Sequence, residues 1–339
     1  MTDASSARTP LRPPARGRFT PPVWLSGATQ AYGALAVLLA LFLFNVLFTE
    51  QFLSLQSLRV NLTQVATIII VATGMTLVIA TGGIDLSVGS LMAISGAIAP
   101  LIFMSERSPF DIAWIGNSAA ILVAVLVAGL FGLFNGVLVA HFRIQPIIAT
   151  LVLFIAGRGI AQVLTNGSIQ TFNNPGFQYI GLGRPFGIPF QAFIVVFAVA
   201  TAAWAVRATT FGRYLLATGG NESAARLAGV PVAKIKLGVY VISGLLAGLA
   251  GLIVIAINSS SDANLVGRDM ELNAIAAVAV GGTPLTGGRA NVVGTMIGAL
   301  ILQLIRTTLL SHNIQDAVAR IVTAGAIVLA VLIQRGRAS

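Results

Sequence analysis

The chain has 339 residues, of which 56% are apolar and 9% charged, with 20 Lys and Arg against 10 Asp and Glu. Soluble domains carry about 25% charged residues, and so few charges cannot cover a water-facing surface without large apolar patches; the composition excludes an ordinary soluble domain. There is no cysteine, and His141 and His312 stand outside any HExxH or His-rich tract, which excludes thiol chemistry and gives no metal site.

Residues 1–30 are rich in Arg, Pro, Ser and Thr and predict a disordered basic tail. A secretory leader is disfavoured, because the basic lead is long and no small-x-small cleavage site follows the first apolar run. A membrane-spanning helix needs about 20 mostly apolar residues. Runs of that kind occupy 31–49, 60–81, 86–104 and 117–140. Between the second and third lies Thr81-Gly-Gly-Ile-Asp-Leu-Ser-Val-Gly89, a glycine-rich break with Asp85 placed to cap the next helix. Asn135 interrupts the otherwise apolar fourth run with a group that can both donate and accept hydrogen bonds.

Segment 144–164 forms a fifth expected span and carries Arg158 between Gly157 and Gly159. A central Arg costs about 2.5–3.5 kcal/mol to insert and by default marks a function. Snorkelling to the outer interface is the structural alternative. Gln162, four residues on, shares its helix face. Asp85, Asn135, Arg158 and Gln162 are the candidate translocation-pathway residues. Residues 165–189 then predict a long irregular outward loop, followed by a span at 190–206.

The basic segment 207–236, RATTFGRYLLATGGNESAARLAGVPVAKIK, lies between two spans. Asn221 is an N-cap, Glu222 faces the positive end of a helix dipole, and Arg226 occupies the last turn. Gly229 can take the left-handed position and Pro231 blocks continuation. A helix over 222–228, roughly 10 Å long, is too short to gain much from propensity and reads as a rigid element docked onto something else.

Further spans are expected at 237–257, 271–282, 291–310 and 316–333, with a second outward loop at 258–270. Ten crossings is the resulting count. Val280-Gly-Gly-Thr-Pro-Leu-Thr-Gly-Gly288 echoes the first break, aligning Gly82 with Gly281, Gly83 with Gly282, Leu86 with Leu285 and Gly89 with Gly288. Two related halves with glycine-interrupted helices are the signature of transporter repeats. Small-xxx-small pairs at Gly132/Gly136, Gly244/Gly248 and Gly294/Gly298 predict helix interfaces.

Charge asymmetry orients the bundle. With the N-terminus inside, Arg8, Arg12, Arg16, Arg18, Arg143, Arg207, Arg213, Arg226, Lys234, Lys236, Arg289, Arg335 and Arg337 fall on the cytoplasmic side. Arg59, Arg107, Arg184 and Arg268 fall outside, so both termini are expected in the cytoplasm. The fold class predicted is all-α, a polytopic membrane bundle of about ten helices in two related halves. It divides into the tail 1–30 and a permease domain 31–335 carrying the loop 207–236.

The loop residues Gly212, Gly219, Asn221, Ala224, Ala225 and Gly229 resemble the coupling loop of ABC importer permeases. GMTLVIATGGIDLSVGS (74–90) resembles the ribose-type sugar permeases of that superfamily, which also holds branched-chain amino-acid permeases. IQPIIATLVLFIAGRGIAQ (144–162), QTFNNP (170–175) and DANLVGRDMELNAIAAVAVGGTPLTGGR (262–289) are most similar to the galactofuranose-type permease. The similarity covers roughly residues 30–335. It implies a non-catalytic subunit of a bacterial inner-membrane importer that pairs with a second permease, a paralogue, and with cytoplasmic ATPases and a periplasmic sugar-binding protein. Gly212, Arg213, Gly219, Asn221, Glu222, Ala224, Ala225, Arg226 and Gly229 would contact the ATPase. No cofactor is expected in this chain: there is no GxxxxGK[ST], the only lysines being Lys234 and Lys236 in AKIKLG, so ATP is used by partner subunits.

Galactofuranose is the first substrate expected, then ribose or another sugar, with branched-chain amino acids last. An ion-driven secondary carrier or channel is the competing class, disfavoured because only Asp85 and Asp316 approach the spans. An intramembrane enzyme lacks any nucleophile–base set or paired carboxylates, and the net charge of +10 is spread between apolar runs, so it reads as topology and not as nucleic-acid binding.

Overall fold

The computed structural model describes residues 23–104, 113–315 and 317–325. The first half runs α1 (Val23–Phe48), α2 (Leu55–Ala80), α3 (Val88–Phe103), α4 (Ala113–Ala140) and α5 (Pro146–Leu164). A strand β1 (Gln170–Thr171), α6 (Pro175–Leu182) and a 3-10 turn at Pro185–Gly187 lead to α7 (Phe190–Ala208). The rest comprises α8 (Thr210–Gly220), α9 (Glu222–Leu227), α10 (Val232–Asn258), β2 (Ser260–Ser261), α11 (Met270–Val280) and α12 (Val292–Ser311).

Among the described residues, six helices are long and apolar enough to cross a membrane: α2, α4 from Gly116, α5, α7, α10 and α12. Gly33–Phe48, α3 and α11 are apolar but shorter. The 11 residues of α11 rise only about 16 Å, against a hydrocarbon core near 30 Å. The expected span 271–282 is therefore a half-length helix. Of the expected span 316–333, residues 317–325 are helical and the remainder lies outside the described residues. Helix α1 begins at Val23, inside the stretch assigned to the tail, and residues 1–22 are outside the described residues.

The centre of the bundle is α2, buried from Val65 to Ala80 except Ile68, with α7, α10, α11 and α12 around it and α3 and α4 packed on the far side of α10. Two of the predicted small-residue pairs turn out to form one seam. A Cβ on Gly136 of α4 would lie 3.0 Å from the Cα of Leu237, and one on Gly244 of α10 would lie 2.5 Å from the carbonyl of Ala128. The third pair, on α12, meets α11: a Cβ on Gly298 would lie 2.8 Å from the Gly281 nitrogen. With no hydrophobic drive between helices in lipid, such backbone proximity supplies the packing.

The outward loop 165–189, expected to be irregular, is ordered. Asn174 caps α6 by accepting from the Phe177 nitrogen at 3.1 Å, and Phe103, Phe172 and Phe177 form an aromatic cluster with ring centroids 4.9–5.6 Å apart. Strand β1 pairs antiparallel with β2, Gln170 opposite Ser261 and Thr171 opposite Ser260, which joins the two loops expected to face outward.

Candidate functional site

The segment 207–236 holds two helices. Thr209 caps α8, a helix the local sequence signals did not reveal, by accepting from the Gly212 nitrogen at 3.4 Å. Asn221 caps α9, its Oδ1 accepting from the Ala224 nitrogen at 3.0 Å. Gly229 closes α9 at φ +80°, with Val230 N–H donating to the Ala225 carbonyl at 3.0 Å, a Schellman ending. Glu222 accepts from Arg226 at 2.9 Å and from Lys236 at 2.6 Å, the latter tying α9 to the first turn of α10. Burial alone would raise the Glu222 carboxyl, but the hydrogen bond and charge of Lys236, then those of Arg226, outweigh it and hold the group below its ordinary value.

Outward from the bundle, α9 presents Leu227, 91% exposed, beside exposed Ala224 and Ala228, while Ala225 is buried beneath. Inward, α8 ends at a three-way glycine junction. The Gly288 nitrogen donates to the Ala80 carbonyl at 3.0 Å, and a Cβ on Gly219 would overlap that carbonyl and lie 2.6 Å from the Gly288 nitrogen. A Cβ on Gly287 would lie 2.8 Å from the Gly82 nitrogen and 3.1 Å from the Gly219 carbonyl. The short basic loop is thus locked onto both glycine breaks at once.

Those breaks are structural repeats, in a register one residue away from the sequence alignment. Gly82 N–H donates to the Ile79 carbonyl and Gly83 N–H to that of Val78, at 2.8 and 3.2 Å; Gly282 to Ala279 and Thr283 to Val278 repeat the pattern at 3.1 and 3.2 Å. Gly82 and Gly282 carry the positive φ, +81° and +87°. Gly82 is therefore equivalent to Gly282, and Gly281 to Thr81. The letter-by-letter match of GG to GG misleads because the left-handed position, not the first glycine, defines the turn.

The four pathway candidates separate into two pairs. Asp85 is fully buried, Oδ1 accepting from Ser87 N (3.0 Å) and Oγ (2.6 Å) and Oδ2 from Ser243 Oγ of α10 (2.8 Å). Asn135, also fully buried, donates from Nδ2 to Ser87 Oγ at 2.8 Å. Asn135 Oδ1 and the Tyr240 hydroxyl are buried without a partner among the described residues. This network welds the first break to α4 and α10.

Arg158 and Gln162 face a different place. Arg158 Nη1 donates to the carbonyls of Ala263 (2.9 Å) and Val266 (2.5 Å), and Gln162 Nε2 to Asn264 Oδ1 at 2.7 Å. Both contacts hold the 262–269 segment that leads into α11. They line a cleft of about 470 Å³ with Phe154, Asn264, Arg268, Asp269 and Glu271. The last four went unread in the sequence. The available signal was an Asp-Met-Glu run (269–271) opening an apolar segment too short to span.

The family model described as branched-chain amino acid transport system / permease component matches residues 57–332. The chain belongs to this permease family. The permease is 41% identical to the ribose import permease protein of Escherichia coli over 304 residues, 88% of this chain and 92% of that protein. It is 40% identical to the galactofuranose transporter permease protein of Escherichia coli over 276 residues, 81% of this chain and 79% of the other. The fructose import permease protein of Bifidobacterium longum is 40% identical over 251 residues, 73% and 68% of the two chains. No solved structure matches the chain significantly. The permease is thus a multi-pass membrane protein whose curated relatives are sugar import permeases.

Proposed function

We propose that this permease is the translocating, non-catalytic subunit of an ATP-driven monosaccharide importer in a bacterial inner membrane. The relatives named for ribose, galactofuranose, fructose and arabinose support the sugar class. Their near-equal identities do not favour galactofuranose over ribose, so the substrate is taken as a pentose or hexose.

The observation that carries the coupling reading is the lock between α8–α9 and the two breaks. Leu227 and its alanine neighbours offer an apolar knob to a partner surface, and Glu222 with Lys236 makes α9 move with α10. A push on α9 therefore reaches α2, α10 and the α11–α12 turn through backbone contacts too close to be compliant. In this reading the loop side is cytoplasmic and meets an ATPase dimer, a receptor outside delivers the sugar, and a second permease completes the path. The half-length α11 and the breaks are the discontinuous helices of an alternating-access carrier.

Reconstitution in proteoliposomes tests this. Sugar uptake should need the ATPase, receptor and second permease together, and replacing 222–228 by a Gly/Ser linker should abolish uptake and ATPase stimulation while membrane insertion persists. Survival of both activities in that variant rejects the coupling role. Sugar movement by this chain alone in ATP-free vesicles would point to an ion-driven carrier.

A further inference from the structure

Glu271 sits in the first turn of the half-length helix α11, 6% exposed, with Oε2 closed to solvent and without a hydrogen-bond partner among the described residues. It lies against α3, where a Cβ on Gly89 would come 2.5 Å from Oε2. A buried carboxylate oxygen left unpaired is costly, so the carboxyl gains from any turn that brings it to a hydrogen-bond donor. The same side chain lines the cleft of about 470 Å³, inside the size range of small-molecule sites.

The cleft's other groups supply both donors and acceptors. Because Gln162 gives its Nε2 to Asn264 Oδ1, Gln162 Oε1 and Asn264 Nδ2 stay available as one acceptor and one donor pair. Arg158 Nη1 donates to two carbonyls and Asp269 Oδ2 accepts from Arg320. Arg158 and Arg268 balance Asp269 and Glu271, and Phe154 supplies an aromatic wall. This is a neutral, hydrogen-bonding cleft with one apolar side, at the start of an interrupted helix, where carriers hold their substrates.

We infer that this cleft holds the sugar in transit: the Glu271 carboxylate accepts from a sugar hydroxyl, Gln162 and Asn264 bond a neighbouring one, and Phe154 covers the apolar face of the ring. The inference rests on the monosaccharide reading above and adds the residues that read the hydroxyl pattern.

The test uses the assembled importer in proteoliposomes, with D-ribose, D-galactose, D-fructose, L-arabinose and L-leucine as probes. Singly deoxygenated analogues of whichever sugar is carried follow, each at a concentration that saturates the receptor. In the wild type one deoxy analogue should be carried about tenfold or more slowly than its parent, as a site built around a hydroxyl requires. In Glu271→Ala the parent should fall toward the rate of that analogue and the ratio should collapse toward one, with Glu271→Gln, which keeps one acceptor, in between, while receptor-stimulated ATP hydrolysis persists. Wild-type discrimination retained in Glu271→Ala overturns the site and leaves the sugar reading standing. Uptake of L-leucine with none of the sugars overturns both. Should the Glu271 variants fail to insert, Gln162→Ala and Asn264→Ala decide: a reduced ratio in either supports the site, and unchanged ratios in both reject it.

Discussion

Gly219→Ala should break the junction that ties the basic loop to the bundle. The new Cβ would overlap the Ala80 carbonyl and stand 2.6 Å from the Gly288 nitrogen and 2.9 Å from the Ala80 carbonyl carbon, so backbone has to move. Overpacking of this kind costs about 1–3 kcal/mol, and losing the Gly288–Ala80 hydrogen bond adds about 0.5–1.5 kcal/mol. Replacing Gly within a helix returns up to about 1 kcal/mol. The net expectation is a destabilisation of about 0.5–4.5 kcal/mol. Gly220→Ala is the internal control, since a Cβ there meets nothing within 4 Å. Thermal unfolding of the two purified variants gives the stability difference, and sugar carried per ATP hydrolysed in the assembled importer gives the coupling. Gly219→Ala should fall below Gly220→Ala in both. Equal melting and equal coupling of the two variants would refute the junction argument.

Asn221→Ala removes the cap on the Ala224 nitrogen and should cost about 1 kcal/mol, read as faster amide hydrogen exchange across 222–228 with the spans unchanged. Glu222→Gln should change overall stability by less than about 1 kcal/mol, because its bridges are partly exposed, yet it should loosen α9 from α10 and lower coupling. Since Glu222 has a depressed folded-state pKa, its contribution is present above its ordinary value and is lost as pH falls through the lower folded value. The wild type and Glu222→Gln should therefore converge in melting temperature under acid, and a gap that widens there would contradict the pairing. Asp85→Ala strips the acceptor from Ser87 and Ser243 and should cost about 1–3 kcal/mol or more. Asp85→Asn, which keeps one acceptor, should recover part of that loss in the same melting assay.

Local chemistry explains which parts were legible before the structure. Helix α9 was readable almost to the residue because Asn221, Glu222, Gly229 and Pro231 act within one turn of themselves. Six of the ten expected spans match helices long enough to cross, readable because lipid demands apolar length, whereas 271–282 is only half that length. Helix α8 escaped notice: its cap, Thr209, is followed by glycines at 212, 219 and 220 that argue against a helix unless close packing explains them. The 165–189 loop looked irregular because its order comes from pairing with residues near 260 and from aromatic packing onto α3, contacts far away in sequence. Arg158 was visible as a lone charge, whereas its partners are carbonyls, which the sequence does not mark.

The sequence by itself determined the solvent, the number of apolar runs, the basic loop with its capped helix, and the two glycine breaks, since each depends on composition or on neighbours within a few residues. Only the tertiary structure decided that the loop meets both breaks through Gly219, that Gly82 and not Gly83 is the partner of Gly282, and that Arg158, Gln162 and Glu271 share one cleft. Those facts depend on which distant backbones come within van der Waals contact, and that is a property of how helices pack.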